Sequence, residues 1–379
     1  MANAKTGPEA DTEAIPVPAP GPEERWYVAA LAALLGRREA RRRLAHGSPA
    51  EVLAQASGGV AMGARLARTC RRAGVVLLTP ADAAFPEPLR QIPDPPLALY
   101  WRGPPLPGER PGKHDGLGPV VAIIGARRCS AYGARLAETL AADLAALGCV
   151  IVSGLALGID SAAHRGALAE GGRSLAVLGN GLGHVYPVAN RGLAHELVAA
   201  GGALISEYVP WLRPRRHHFP ERNRLISGLA EAVLVVEAGE RSGTLITARM
   251  ALEQGREVMA VPGPACSPDS AGCHRLLREG AALVERADDV LVVLGRPLEP
   301  TRLPGQDSAG RRAARAAPVP PAHLLRLHSA VATVPTTLDA IVAASGANGA
   351  HAMAGLLELE LGGFVEQVPG GYIRRPPPS

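Results

Sequence analysis

Between Val120 and Val284 the chain repeats one pattern: a short apolar run, then a longer stretch with apolar residues every third or fourth position. The runs fall at 120–124, 150–152, 175–178, 203–205, 232–236, 258–261 and 282–284. None alternates with polar residues, so each reads as a strand covered on both faces, the mark of a parallel sheet. The stretches 131–147, 161–170, 191–200 and 245–254 are periodic in the manner of amphipathic helices. Gly148, Gly171, Gly201 and Gly255 fall where helix C-caps belong. Seven cycles of this kind predict an α/β fold, a doubly wound parallel sheet over residues 119–294 with helices on both faces.

The flanks have other rhythms. Residues 1–22 read as a disordered tail, and 23–75 as a small helical domain broken at Gly36, Gly47 and Gly58. Residues 76–118 read as a connector and linker, with a short strand at 75–78 and a proline-rich segment ending at Trp101. A second linker, 295–320, leads to three helical patterns and a closing hairpin in 321–379, which together predict a winged helix. That last segment carries three arginines (Arg326, Arg374, Arg375) against four carboxylates (Asp339, Glu358, Glu360, Glu366), a net charge of −1. It lacks the footprint that neutralises phosphates, so protein–protein packing is its expected role.

Composition narrows the function. A chain of 379 residues, with formal charge +5, exceeds one domain and tolerates a polyanionic partner. Lys5 and Lys113 are the only lysines, so no Gly-x-x-x-x-Gly-Lys-Ser/Thr loop exists and a Walker-type nucleotide hydrolase is excluded. The five cysteines show no CxxC pairing, and Cys266, Cys273 and His274 fall short of a metal-ligand set. Scattered thiols, the absence of a signal pattern and the absence of a spanning apolar run predict a cytoplasmic protein with no membrane partner.

In open parallel sheets ligands sit beyond the carboxyl ends of the strands, so the chemistry is sought in the turns that follow each run. The first turn holds Gly125, Arg127 and Ser130; the second holds Ser153, Gly154 and Asp160; the third holds Gly179, Asn180 and Gly181. After the fifth run come Ser242, Gly243 and Thr244. Glycines and hydroxyls at helix starts gather N–H donors suited to an anion. Beside them lies the stretch 213–226, in which Arg213, Arg215, Arg216, Arg222 and Arg224 surround Phe219, with Glu221 opposing. Guanidinium groups fork onto phosphates and a ring stacks a base, which is what single-stranded nucleic acid binding requires. No Gly-x-Gly-x-x-Gly follows the first run and no Gly-x-Ser-x-Gly occurs, so neither a dinucleotide cofactor nor a serine hydrolase is expected. His164 reads as structural, and Asp160 and Glu207 as cap and hydrogen-bond partners for arginines. Binding chemistry is present and catalytic chemistry is not.

Seven motifs in one order resemble the DprA/Smf family of bacterial DNA-processing proteins of natural transformation. They are Ile124-Gly-Ala-Arg127, Ser153-Gly-Leu-Ala-x-Gly-Ile-Asp160, Ala176-Val-Leu-Gly179 with Tyr186-Pro187, Ile205-Ser-Glu-Tyr208, Phe219-Pro-x-Arg-Asn-Arg-Leu-Ile226, Ser242-Gly-Thr-Leu-Ile-Thr247 and Val261-Pro-Gly263. The resemblance implies an extended Rossmann-like domain, a sterile-alpha-motif-like (SAM-like) N-terminal domain and a C-terminal winged helix. It also implies a homodimer that binds single-stranded DNA and helps load the RecA recombinase onto it. Family members use an arginine matched by Arg127, a basic residue and aromatic matched by Arg216 and Phe219, and an Arg-Asn-Arg element matched by Arg222, Asn223 and Arg224. Leu157 stands where relatives often carry a basic residue, which weakens the case for a phosphate contact from that loop.

The expectation is therefore a non-enzymatic protein without cofactor. Its DNA site would comprise Gly125, Arg127, Gly154, Arg215, Arg216, Phe219, Arg222, Asn223, Arg224, Ser242, Gly243 and Thr244. The rival expectation is a nucleotide-processing enzyme of the nucleoside monophosphate phosphoribohydrolase type.

Overall fold

The computed structural model describes residues 24–104, 118–296, 320–362 and 364–374. The expected tail 1–22 lies outside the described residues, as do most of the linkers 103–118 and 295–320. The chain divides into two compact units, Met1–Pro297 and Leu298–Ser379.

The first unit opens with four helices, α1 (Glu24–Leu35), α2 (Arg37–Leu44), α3 (Pro49–Gln55) and α4 (Gly59–Arg72). Then follow β1 (Val76–Leu78), α5 (Glu87–Arg90) and β2 (Leu99–Arg102). The alternating part runs β3 (Val120–Gly125), α6 (Ala131–Ala146), β4 (Val150–Ser153), α7 (Ile159–Ala169), β5 (Ser174–Leu178), α8 (Arg191–Ala199), β6 (Ala203–Ser206) and α9 (His218–Leu229). It closes with β7 (Ala232–Glu237), α10 (Thr244–Glu253), β8 (Glu257–Ala260), α11 (Ala271–Arg278), β9 (Ala282–Leu283) and α12 (Ala287–Val293).

All seven apolar runs are strands. They form a parallel array in the order β6-β5-β4-β3-β7-β8-β9. The order reverses between β3 and β7, which makes that pair the switch point where an open α/β sheet forms its crevice. Both faces are covered, as unbroken apolar runs require. Ala122, Ile124, Leu175 and Val177 pack with Leu225, Ile226 and Leu229 of α9 and Ala248 and Ala251 of α10. Their neighbours Ala176 and Leu178 point the other way, into a core with Leu193 and Leu197 of α8.

The N-terminal part departs from the reading of it as a helical domain plus connector. β2 pairs antiparallel with β6, and β1 with β2, so the connector adds two strands to the sheet edge for a total of nine. Leu31, Leu44, Leu53 and Leu66 of the first four helices share one core with Leu97, Tyr100 and Leu204. The physical reason is burial. Tyr100 is 1 % exposed beneath these helices, and Trp101, also 1 % exposed, is covered on the opposite face by Phe85, Leu89 and Ile92; so large an apolar surface at a sheet edge needs a layer on each side.

The second unit contains α13 (Leu325–Ala330), α14 (Leu338–Ser345), α15 (Gly349–Leu361) and the hairpin β10 (Val365–Val368) and β11 (Gly371–Arg374). Leu327, Ile341, Leu356, Leu359 and Phe364 form its core. Thr336 bridges to Tyr372 and adds a third short rung, which completes a winged helix. Among the described residues no single helix is long and apolar enough to cross a membrane.

Candidate nucleic-acid interface

Four loops at the carboxyl edge of the sheet are joined in two pairs by backbone hydrogen bonds. Gly181 N donates to Leu212 O (2.9 Å) and Gly183 N to Pro210 O (2.8 Å), so the turn after β5 braces the arginine-bearing loop after β6. Gly181 has no room for a side chain, since a Cβ there would lie 1.9 Å from Val209 O. The glycines of this turn therefore serve backbone approach. On the other side, Ile159 N donates to Ala126 O (3.2 Å) and ties the turn after β3 to the start of α7.

Phe219 sits in the first turn of α9, half-buried, with its ring lying over Gly179. The Arg127 guanidinium stands 5.1 Å from the ring centroid, within cation–π range. Tyr186 stands on another side, with ring centroids 5.6 Å apart at 45°. Tyr186 is 45 % exposed, so this second aromatic lies at the surface beside the first. Arg213, Arg215 and Arg216 are exposed on the loop that leads into α9, and Asn223 is half-buried one turn beyond Phe219. Arg127, Arg215, Arg216 and Phe219 thus form one surface. In the sequence Tyr186 stands out only as part of the Tyr186-Pro187 motif; no charge or glycine marks it, and its proximity to Phe219 alone reveals it.

Two expected phosphate ligands point inward. Arg222 is 3 % exposed, and its Nη1 donates to Gly154 O (2.8 Å) and to Val177 O. Burial lowers its pKa to about 10, with Asp160 offsetting part of that cost, so it stays charged at neutral pH. Asp160 accepts from Gly154 N (3.1 Å) and Ala156 N (3.3 Å), while its own burial pushes its carboxyl up. Gly154 is glycine because a Cβ would lie 2.6 Å from Arg222 Nη1 and 2.7 Å from Asp160 Oδ2. Gly154 and Arg222 are buried floor beneath the surface.

Arg224 is 7 % exposed and forms an ion pair with Glu207 (2.6 Å) and Asp94 (3.4 Å). Arg37 of α2 reaches the same two carboxylates at 2.7 Å (Asp94) and 3.1 Å (Glu207), and Arg41 reaches Asp94 at 2.9 Å. Burial works against the charge on Asp94, but Arg224 and Arg37 outweigh it and hold the carboxyl below its ordinary value. The element Arg222-Asn223-Arg224 is therefore mostly internal; a charge in sequence does not reveal its partner.

The switch point itself is filled by the chain. Ser130 N donates to Glu237 Oε1 (2.9 Å) and Ser130 Oγ contacts Oε2, so a carboxylate from β7 occupies the N-terminus of α6. Gly125, at the end of β3, has Ile159 Cγ1 2.5 Å and Glu237 O 2.9 Å from where a Cβ would be; its role there is packing. The adjoining cavity, about 170 Å³ and lined by Tyr132, Glu237, Pro264 and Ser267, is below the roughly 300 Å³ at which small-molecule sites begin. A mononucleotide phosphate entering it would meet Glu237. After β7, Ser242 Oγ donates to Thr244 Oγ1 (3.0 Å) and accepts from Thr244 N (3.2 Å), and Gly243 is exposed between them. This turn satisfies its own first donor.

His164 is fully buried, with Nδ1 2.7 Å from Ser174 Oγ, and burial lowers its pKa to about 3. It is a neutral core residue. Among the described residues no group of three His, Cys, Asp or Glu side chains is placed to hold a metal.

Residues 76–295 match the family model of DNA recombination-mediator protein A, and 311–371 match that of the DprA winged helix domain. Protein Smf of Escherichia coli is 41 % identical over 306 residues, covering 78 % of this chain and 77 % of that protein. The crystal structure of DNA processing protein A from Streptococcus pneumoniae is 35 % identical, with TM-score 0.55, covering 71 % of this chain and 92 % of that one. A Helicobacter pylori DNA processing protein A, whose structure concerns its single-stranded DNA binding mode, is 30 % identical with TM-score 0.49, covering 58 % and 95 %.

Proposed function

Since the chain belongs to the DNA recombination-mediator protein A family, we propose that it binds single-stranded DNA on the Arg127–Phe219 surface and delivers it to the RecA recombinase. The observation that carries the DNA reading is the cluster itself: a half-buried ring flanked by an arginine at 5.1 Å and an exposed tyrosine at 5.6 Å, with Arg215 and Arg216 alongside. Rings of this kind stack on unpaired bases, which are hidden inside a duplex. Arginines hold phosphates without reading sequence, so base identity should matter little. Family membership supports the hand-off to a recombinase, a homodimeric assembly and a place in the cytoplasm, and the reading includes all three. The protein acts by binding: the switch-point crevice, where a nucleotide enzyme would place its substrate, holds Glu237.

The test is salt dependence. Each phosphate contact on a single strand contributes about −0.7 to the slope of log K against log salt. Arg127→Ala/Arg216→Ala should therefore bind a labelled thymidine oligomer more weakly, with a slope shallower by about 1.4. An unchanged slope would remove both arginines from the interface.

A further inference from the structure

The arginines of the N-terminal layer fall into two groups. On α2, Arg37 and Arg41 pair with Asp94 and Glu207, and Arg42 and Arg43 pair with Glu39. Helix α4, in the same layer, has no acidic residue, and exposes Arg65, Arg68, Arg71 and Arg72. Among the described residues, no side chain forms an ion pair or hydrogen bond with Arg68, Arg71 or Arg72. Arg65, Arg68 and Arg72 stand at i, i+3 and i+7, which puts them in one stripe about 10 Å long on the helix surface. A solvated face usually mixes both signs; this one does not.

The stripe is joined to the arginine loop. The Arg65 guanidinium lies 4.0 Å from the centroid of the Trp211 ring. Trp211 precedes Arg213 by two residues, a reach of at most about 7 Å of extended chain, and Arg215 and Arg216 follow. Positive charge therefore runs from the Phe219 surface along the 213–216 loop, across the Arg65–Trp211 contact and onto α4 without an intervening carboxylate in the loop.

We propose that the α4 stripe is a second DNA contact surface, along which a single strand leaving the 213–216 loop continues over Arg65 onto Arg68 and Arg72. Charge complementarity and continuity with the loop select the phosphates of that strand as the occupant. The contact is to backbone only, because the exposed face of α4 carries no aromatic residue. The inference rests on the single-strand reading of the Phe219 surface, which it extends from a local site to a track.

The experiment compares thymidine oligomers of about 6 and about 20 nucleotides, lengths chosen to bracket the footprint of one binding domain. Arg68→Ala/Arg72→Ala should weaken binding of the long oligomer and make its salt slope shallower by about 1.4, leaving the short oligomer at wild-type affinity. Arg68→Lys/Arg72→Lys should retain most of the long-oligomer affinity, since a point charge still meets a phosphate, whereas a packing role for these exposed residues would not be rescued by charge. Wild-type binding of both lengths by the alanine variant would overturn the proposal and leave the stripe to solvent or an acidic protein. Equal loss at both lengths would overturn it too, by placing the stripe inside the short footprint. Phe219→Ala, measured on the short oligomer in parallel, separates the two claims: if it binds as wild type does, the Phe219 surface itself is misassigned, whatever α4 does.

Discussion

At the scale of single residues, burial divides the arginines into those that face the solvent and those that hold the floor. Arg127 is exposed and its guanidinium lies over the Phe219 ring, whereas Arg222 is 3 % exposed and crosses from α9 to the carbonyls of Gly154 and Val177. The two should fail differently. Arg222→Ala leaves Asp160 without its buried cation and should destabilise the fold by about 3–5 kcal/mol, seen as a lower urea midpoint. Arg127→Ala should keep the midpoint and lose DNA affinity. A second prediction concerns His164, whose proton the folded protein excludes until about pH 3. The unfolded chain takes that proton near its ordinary value of 6.5, so stability falls as pH drops from 6.5 towards 3, by up to about 1.4 kcal/mol per unit. Unfolding at pH 6.5 and 5 should show a shallower decline in His164→Asn than in wild type; equal declines would remove His164 as the cause. Arg215, Arg216 and Phe219 are legible from sequence because an arginine run around a lone ring is an unusual pattern, and Arg127 because it follows a glycine in the turn after the first strand. Asp160 and Glu207 are legible as partners for arginines, but that Arg222 and Arg224 are the arginines they hold, and so turn inward, is not, because the pairing is made between different elements and Asp94 joins it from the connector.

At the scale of elements, α9 connects surface and scaffold. Its first turn carries Phe219, its middle is anchored through Arg222 to β5 and through Arg224 to Glu207 and Asp94, and its last turns bury Leu225, Ile226 and Leu229. Arg37 ties the same carboxylates to α2, so the N-terminal layer helps set where the helix lies. Glu207→Gln, which removes charge at nearly constant shape, should cost about 1.5–3 kcal/mol and weaken DNA binding by loosening the ion pairs that hold α9. Unchanged stability with unchanged binding would mean that α9 is held by its apolar face alone. The seven parallel strands were readable because double burial demands unbroken apolar runs. Of the edge strands, β1 is legible as the short apolar run at 75–78, but β2 and the joining of both to the sheet are not, because a four-residue strand among prolines gives no periodicity and is fixed by pairing with β6.

At the scale of the whole molecule, the first unit holds every residue of the proposed DNA surface, and the winged-helix unit carries a near-neutral charge that suits a protein contact better than phosphates. The switch point of the sheet, the customary ligand crevice of such folds, is closed by Glu237, and the proposed binding surface lies along the strand ends on the loops after β3, β5 and β6. The most direct measurement of that central claim is equilibrium binding of Phe219→Ala and wild type to one thymidine oligomer, single-stranded and paired with its complement. Wild type should prefer the single strand, and the variant should lose about 1–3 kcal/mol of affinity for it while its weak duplex binding stays the same. Equal affinity of wild type for both forms, or a variant that binds the single strand as tightly as wild type, would contradict the account.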